Sequence, residues 1–315
     1  MSYNRQHEAI EVDPAILFSD DDTYESSGYS LNSAVDRYIF ENGRRYHAYY
    51  GVDKNLMPTD EMEQDRLDLH HEIMLQLLDG DLHLAPLEDP RRILDIGTGT
   101  GIWAIDAADR YPKAKVIGTD LSPIQPAWVP ENCKFEVDDA EQEWLYPPDY
   151  FDFIHARNLA QAIENWPILM EQAYHCTKPG GYVEIAELGA EVFSDDNTLS
   201  ENNGFKRYLE YIDKAFVKLG RPQCSAQTLR QNLENAGFVD VQVSSFKQPF
   251  GPWANDRRMK HIGAMVLLMS ETGLEAYGMA PFTRVLEMPQ AEAMRICRDG
   301  VIAVKNKNHH MYSYL

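Results

Sequence analysis

From Arg91 to Leu188, short apolar runs alternate with longer amphipathic stretches. The runs RILDI, KVIGTD, CKFEVDD, YFDFIHA and YVEIAEL have strand length, and the first four are bounded by loop or helix signals. Between them, WAIDAADRY and ENWPILMEQAYHC carry helical spacing, with Pro167 tolerable only in the first turn of the second helix. KPGG before the last run reads as a turn. Strands and helices alternating at this length predict a parallel sheet covered on both faces.

The flanks read differently. DEMEQDRLDLHHEIMLQLLDG (60–80) predicts a helix capped by Thr59 or Asp60 and closed at Gly80. Its apolar face combines Leu69, Ile73 and Leu77 with Met62, Met74 and Leu78. Residues 36–50, dense in aromatic and basic side chains, predict a helix followed by a docked segment. After residue 190, FKRYLEYIDKAFVKLG and SAQTLRQNLENAG predict helices, and FVDVQVSSF alternates as a strand. Residues 254–300 return to helix with methionines scattered through it, as core filling or as the cap of an apolar pocket.

Composition narrows the partners. With 29 Lys and Arg against 50 Asp and Glu, the formal charge is −21, which argues against a nucleic-acid phosphate surface. It leaves a basic protein partner open, beside the plainer reading that charge maintains solubility. The four cysteines form no C-x-x-C pair, no secretory leader is visible and no apolar run has membrane-spanning length, so cytosol or nucleus is expected. Residues 1–35 carry seven acidic residues and one basic, the pattern of an acidic flexible tail.

The chemistry concentrates in RRILDIGTGTGIW. A strand turns through Gly97, Gly99 and Gly101 into a helix whose first amides face a bound group. Ile102 stands where a dinucleotide fingerprint G-x-G-x-x-G would place its third glycine, which favours S-adenosylmethionine over a nicotinamide cofactor. Asp95 at the strand end would bind the cofactor's amino group or orient the loop. Asp120 ends the next run and suits two ribose hydroxyls, because a carboxylate only accepts. Leu121 beside it would pack on the adenine. No nucleophile elbow or P-loop is present, and neither His70-His71 nor His309-His310 has a third ligand in register, so no metal is expected.

Taken in order, PTDEMEQDRLDLHH, ILDIGTGTGIWAID, VIGTDLSPIQPAWVPENCKFEVDDAEQEW, FDFIHARNL, NWPILMEQAYHCTKPGGYVEIAE, AGFVDV and PFGPW resemble class I methyltransferases of the fungal LaeA-like group, over most of residues 46–315. The resemblance implies an α/β fold: a Rossmann-like, seven-stranded, mostly parallel sheet with N-terminal helices and a helical cap insertion. The divisions expected are a tail (1–35), an N-terminal helical segment over the cofactor site (36–90), the core (91–190), a cap in two parts (191–235 and 251–300), a core strand (236–250) and the C-terminal end of the sheet (301–315). It also implies S-adenosylmethionine and S-adenosylhomocysteine as ligands, and a secondary-metabolite or protein acceptor. A SAM-binding regulator acting through a velvet-type or basic partner is the alternative, and a cyclase of the same fold is a third reading.

By the same resemblance, Asp139 accepts the adenine amine and the Ala140 amide meets a ring nitrogen, with Asp138 beside it a second candidate and a pair of solvated turn carboxylates the alternative. The helix carrying Arg66 and His70 lies over the pocket, with Tyr46 and Tyr49 upstream. Arg66 would clamp the methionine carboxylate, or else form an exposed ion pair with Glu63. His155, Arg157 and Asn158 end the fourth strand, where the group places substrate-facing residues. His155 is a candidate general base with Arg157 beside it, against a structural hydrogen-bonding role, and Glu187 has the same status one strand on. Two departures stand out: Leu159-Ala160-Gln161-Ala162 replaces a Gly-Ser pair, and the ending at Leu315 implies a short or lost final strand.

Overall fold

The computed structural model describes residues 37–315. The acidic tail read over 1–35 lies outside the described residues. The centre is a five-stranded parallel sheet: β3 (Arg92–Ile96), β4 (Lys115–Asp120), β5 (Cys133–Val137), β6 (Phe151–Arg157) and β7 (Thr177–Ala186), ordered β5-β4-β3-β6-β7. The order reverses at β3, so the ends of β4 and β6 flank the turn that leaves it, where open α/β sheets bind ligands.

Alternation along the strands builds two cores. Ile93, Val116 and Phe153 pack under α2 (Ile102–Arg110) with Trp103 and Ala107. Leu94, Ile117 and Ile154 pack under α3 (Trp166–Cys176) with Leu169 and Met170. Both faces are covered, as a parallel sheet requires. Asn165 caps α3 and Pro167 falls in its first turn, where the missing N–H costs nothing.

A third core belongs to a helical lobe. It joins α1 (Glu61–Leu77) to α4 (Gly204–Lys218), α6 (Arg257–Ala280) and α7 (Gln290–Lys305) around Tyr208, Phe216, Phe282 and Ile296. A π-helical turn (Pro281–Val285) follows α6. The helix α5 (Ala226–Ala236) ends at left-handed Gly237 as its sequence predicts. Asp60 caps α1 through the Glu63 amide.

Four local expectations give way. Residues 38–47 form a hairpin, β1 (Tyr38–Glu41) and β2 (Arg44–His47), instead of a helix. Asn42 and Gly43 turn it with φ of 52° and 76°, the paired positive values that a two-residue type I′ turn needs. Met62 is exposed, because the inner face of α1 is polar, burying Glu63, Arg66, His70 and His71 beside Ile73, Met74 and Leu77. KPGG lies inside β7, where the register against β6 shifts at a bulge.

Finally, residues 238–246 form no strand: they face β7 across a groove of about 2330 Å³, and Val239 and Val243 are exposed. An alternating pattern specifies faces, but a strand exists only where a neighbouring edge takes its hydrogen bonds. The next strand, β8 (Lys247–Phe250), pairs antiparallel with β9 (Met311–Tyr314). The expected seven-stranded sheet is thus five-stranded, and these two strands form a separate small sheet, bridged to the chain after β7 through Phe193 and Tyr312. The last strand is short, at four residues.

Candidate cofactor and acceptor site

The turn after β3 is held from three sides. Gly97, Gly99 and Gly101 have φ of 64°, 59° and 82°, values that side chains disfavour. A β-carbon on Gly97 would also lie 2.3 Å from Leu159 Cδ2, and one on Gly101 2.3 Å from Phe135 Cζ. Two of the three glycines are thus demanded by the protein's own packing. The alternating threonines serve the same turn: Thr98 donates to Asp95 at 2.5 Å, and Thr100 donates to Asp68 of α1 at 2.7 Å.

Asp95 is occupied. Its other oxygen meets His155 Nδ1 at 2.7 Å, and the His155 ring stacks on Trp103 at 3.7 Å between centroids. Both residues are buried. Of the two readings for Asp95, the loop-orienting one matches these contacts. His155 lies within the sheet's α2 face, enclosed by Trp103 and Asp95, so the expectation of a substrate-facing base does not fit its place. The cause is register: His155 pairs with Asp95 across β6 and β3, so both side chains point to that face.

Asp120 accepts the Gly99 amide at 2.8 Å and the Ser122 amide at 2.9 Å, one on each oxygen. Burial raises its pKa to about 6, with the Asp95 charge adding to the effect. Each oxygen keeps a lone pair for a hydroxyl donor. Leu121 is half-buried beside it. After β5, Asp138 is exposed and Asp139 buried, so of the two candidates Asp139 is the one that points inward. Asp139 pairs with Lys54 at 3.0 Å, and Lys54 also reaches Glu141 at 2.9 Å. The Ala140 carbonyl accepts from Trp144 Nε1.

On α1, Arg66 makes a bidentate pair with Glu63 at 2.7 and 2.9 Å and donates to Tyr277 at 3.3 Å. The ion pair forms, but buried rather than exposed, and it leaves the guanidinium no free fork for a ligand carboxylate. Tyr46 is fully buried in the lobe core with Arg284 over its ring, and burial raises its hydroxyl to about 12. It packs there as a core residue instead of lining the crevice.

Arg157 stands differently. It reaches His71 Nδ1 at 3.2 Å, while His71 Nε2 meets Asp106 at 2.9 Å, contacts that assign the proton of His71 to Nε2. Burial lowers the Arg157 pKa, and among the described residues no carboxylate lies within salt-bridge reach of it. Asn158, left-handed at φ 55°, donates to His70, which burial and the Arg157 charge keep neutral. The sequence reading missed Lys54, Asp68 and His71. The signal for the last two was their own i, i+3 spacing along α1, on a side of the helix away from Arg66 and His70.

A cavity of about 160 Å³ adjoins this region, between the chain leaving β6 and β7 and helices α1, α4 and α6. Glu187 lines it, accepting the Leu159 and Ala160 amides at 2.7 and 3.2 Å, and burial raises its pKa to about 7. S-adenosylmethionine fits the residues present. Asp120 offers acceptors for a diol, Asp139 an acceptor for an amine, and Arg157 a half-buried cation without a carboxylate partner among the described residues, across the turn from Asp120.

Comparison with known proteins agrees. The profile of a family described as "Methyltransferase domain" matches residues 45–243. The methyltransferase pytC of Aspergillus terreus is 40% identical over 97% of this chain and 94% of its own. The secondary metabolism regulator LAE1 of Cochliobolus heterostrophus is 37% identical over 91% and 95%. The protein-methionine methyltransferase laeA of Emericella nidulans is 33% identical over 91% and 77%. The chain belongs to the methyltransferase-domain family, in its LaeA-like class I group, and is an S-adenosylmethionine-dependent methyltransferase.

Proposed function

We propose that the chain methylates a small-molecule acceptor of the secondary-metabolite kind, with the donor lying across the turn after β3. One observation carries the donor side: a half-buried carboxylate, Asp120, ends β4, and a half-buried cation, Arg157, without a carboxylate partner among the described residues, ends β6 on the opposite flank. In this reading Asp120 accepts the ribose hydroxyls, Asp139 and the Ala140 amide meet the adenine, and Arg157 faces the methionine carboxylate. When bound, S-adenosylmethionine supplies a methyl group on an already activated sulfonium. The protein's work is then alignment, exclusion of water and receipt of a proton. Asp95, His155, Thr98 and Trp103 keep the turn rigid from beneath.

The cavity at the ends of β6 and β7 supports a small acceptor, since it lies under helices rather than on an open face. The charge of −21 suits a basic surface on any protein partner, velvet-type or other. The four described cysteines, none in a disulfide, suit cytosol or nucleus. The test is calorimetric titration with S-adenosylhomocysteine, followed by labelled S-adenosylmethionine with metabolite extracts and with basic proteins. Micromolar binding and label in the small-molecule fraction are expected. Absence of binding refutes the donor site, and label only on protein refutes the acceptor class.

A further inference from the structure

Three buried polar atoms without a partner among the described residues converge on one place. Tyr208 OH, Gln161 Oε1 and Ser313 Oγ all belong to side chains lining the cavity of about 160 Å³. They come from three distant parts of the chain: α4, the segment after β6, and β9. A buried hydroxyl or amide left unmet is costly, and native proteins keep few of them unless water or a ligand completes them.

The rest of the wall decides what completes them. It is largely apolar, with Leu209, Ile212, Phe250 and Leu274 among its members. An engineered apolar cavity of about 150 Å³ accepts benzene, so this volume takes one six-membered ring. The charge of Arg66 is already neutralised by Glu63, so no anionic ligand is called for. The side chains left to recognise a ligand are hydroxyls, the amides of Asn158, Gln161 and Gln223, and the Glu187 carboxylate, with Glu191 at the rim. Exposed Gly189 and Glu191 mark where the lining meets solvent.

The cavity also adjoins the donor turn. Asn158 and Ala160 line it, while Leu159 between them turns its side chain to Gly97. We propose that this cavity is the acceptor subsite, that it takes an uncharged ring bearing a hydroxyl, and that Glu187 receives the hydroxyl proton. The proposal rests on the methyltransferase reading and adds the acceptor's chemical class to it. The acceptor O–H bond breaks toward the Glu187 carboxylate, which becomes a carboxylic acid. An oxygen lone pair forms the new O–CH3 bond as the donor's S–CH3 bond breaks. That electron pair stays on sulfur, so cationic sulfonium and anionic carboxylate both end neutral.

The groups facing Glu187 leave it alone to titrate near neutrality. His70 of α1 is held well below its usual range by burial, and Arg66 keeps its charge on Glu63. Tyr208 of α4 and Tyr277 of α6 are raised by burial, as is Cys224 to about 11. Glu191 stands at the mouth.

The probe is phenol, with toluene as its isostere, titrated into the full chain with S-adenosylhomocysteine present. Phenol is expected to bind at least fivefold more tightly than toluene. Tyr208→Phe should weaken phenol at least fivefold while leaving toluene and S-adenosylhomocysteine unchanged. Glu187→Gln should keep both ligands within threefold and slow methylation of phenol about a hundredfold or more. The wild-type rate should rise with pH through about 7, where Glu187 ionises, and the Glu187→Gln profile should be flat. If S-adenosylhomocysteine binds but phenol does not, or Tyr208→Phe changes nothing, the subsite is overturned and the methyltransferase reading stands. If phenol binds and Glu187→Gln retains the rate, the proton-acceptor role falls. Failure of S-adenosylhomocysteine to bind overturns both.

Discussion

Gly101 separates two reasons for a glycine beside a cofactor. Its backbone is left-handed at φ 82°, and a β-carbon there would sit 2.3, 2.7 and 3.0 Å from three carbons of the Phe135 ring. Gly101→Ala should therefore cost about 1–2 kcal/mol for the backbone. Overpacking against an aromatic ring adds about 1–3 kcal/mol. The sum, about 2–5 kcal/mol, should be read from denaturant unfolding of the full chain. Phe135→Leu shortens the ring's reach at a cost under about 1.5 kcal/mol. In that background Gly101→Ala should lose only the backbone part, a coupling of at least about 1 kcal/mol. Affinity for S-adenosylhomocysteine, measured on the folded fraction, serves as the counter-readout. If Gly101→Ala costs the same in both backgrounds, or weakens the nucleoside while leaving stability intact, the glycine serves the ligand and the packing argument is wrong.

His155→Ala should cost about 2–4 kcal/mol in unfolding experiments, from its lost ring stack and an unmet Asp95 oxygen, yet lower kcat less than tenfold while folded. Intact stability with a drop of a hundredfold or more would restore it as a base. Glu63→Gln removes one partner of a buried ion pair and should destabilise by about 3–5 kcal/mol, and a loss under about 1 kcal/mol would show Arg66 satisfied elsewhere. For Asp120, the folded pKa of about 6 lies above the ordinary 3.8, so the unfolded chain releases its proton first. Its contribution to stability should thus fall as pH rises from about 4 to about 6 and stay low above, a change Asp120→Asn abolishes in pH-dependent unfolding curves. Over the same interval nucleoside affinity should rise, because only the carboxylate form accepts from both ribose hydroxyls; a flat titration contradicts that role. Arg157→Met should weaken S-adenosylhomocysteine about tenfold or more, from a lost charged hydrogen bond, with adenosine binding unchanged.

The chain itself determined the alternation of β3 to β7 with α2 and α3, the turn glycines, and the acidic ends Asp120 and Asp139. Each follows from local rules: residue spacing selects helix or strand, and glycine tolerates a left-handed turn more readily than residues with a side chain. The hairpin at Asn42-Gly43 was equally local and readable, but the aromatic density around it suggested a helix. What only tertiary structure decided is which partner each polar group meets. The ion pair of Arg66 with Glu63 is written in the i, i+3 spacing, but its burial depends on α6, whose Gly273 leaves room for the Arg66 side chain. His155 looked like an active-site residue by position, and the pairing of β6 with β3 turned it onto Asp95 and under Trp103. The alternation of residues 238–246 promised a strand, but pairing needs an edge brought alongside by the rest of the fold. Propensity acts over a few residues, whereas burial, pairing and pKa arise from groups distant in sequence. The donor turn was therefore legible along the chain, and the cavity holding Tyr208, Gln161, Ser313 and Glu187 came into being only when the helices closed over the sheet.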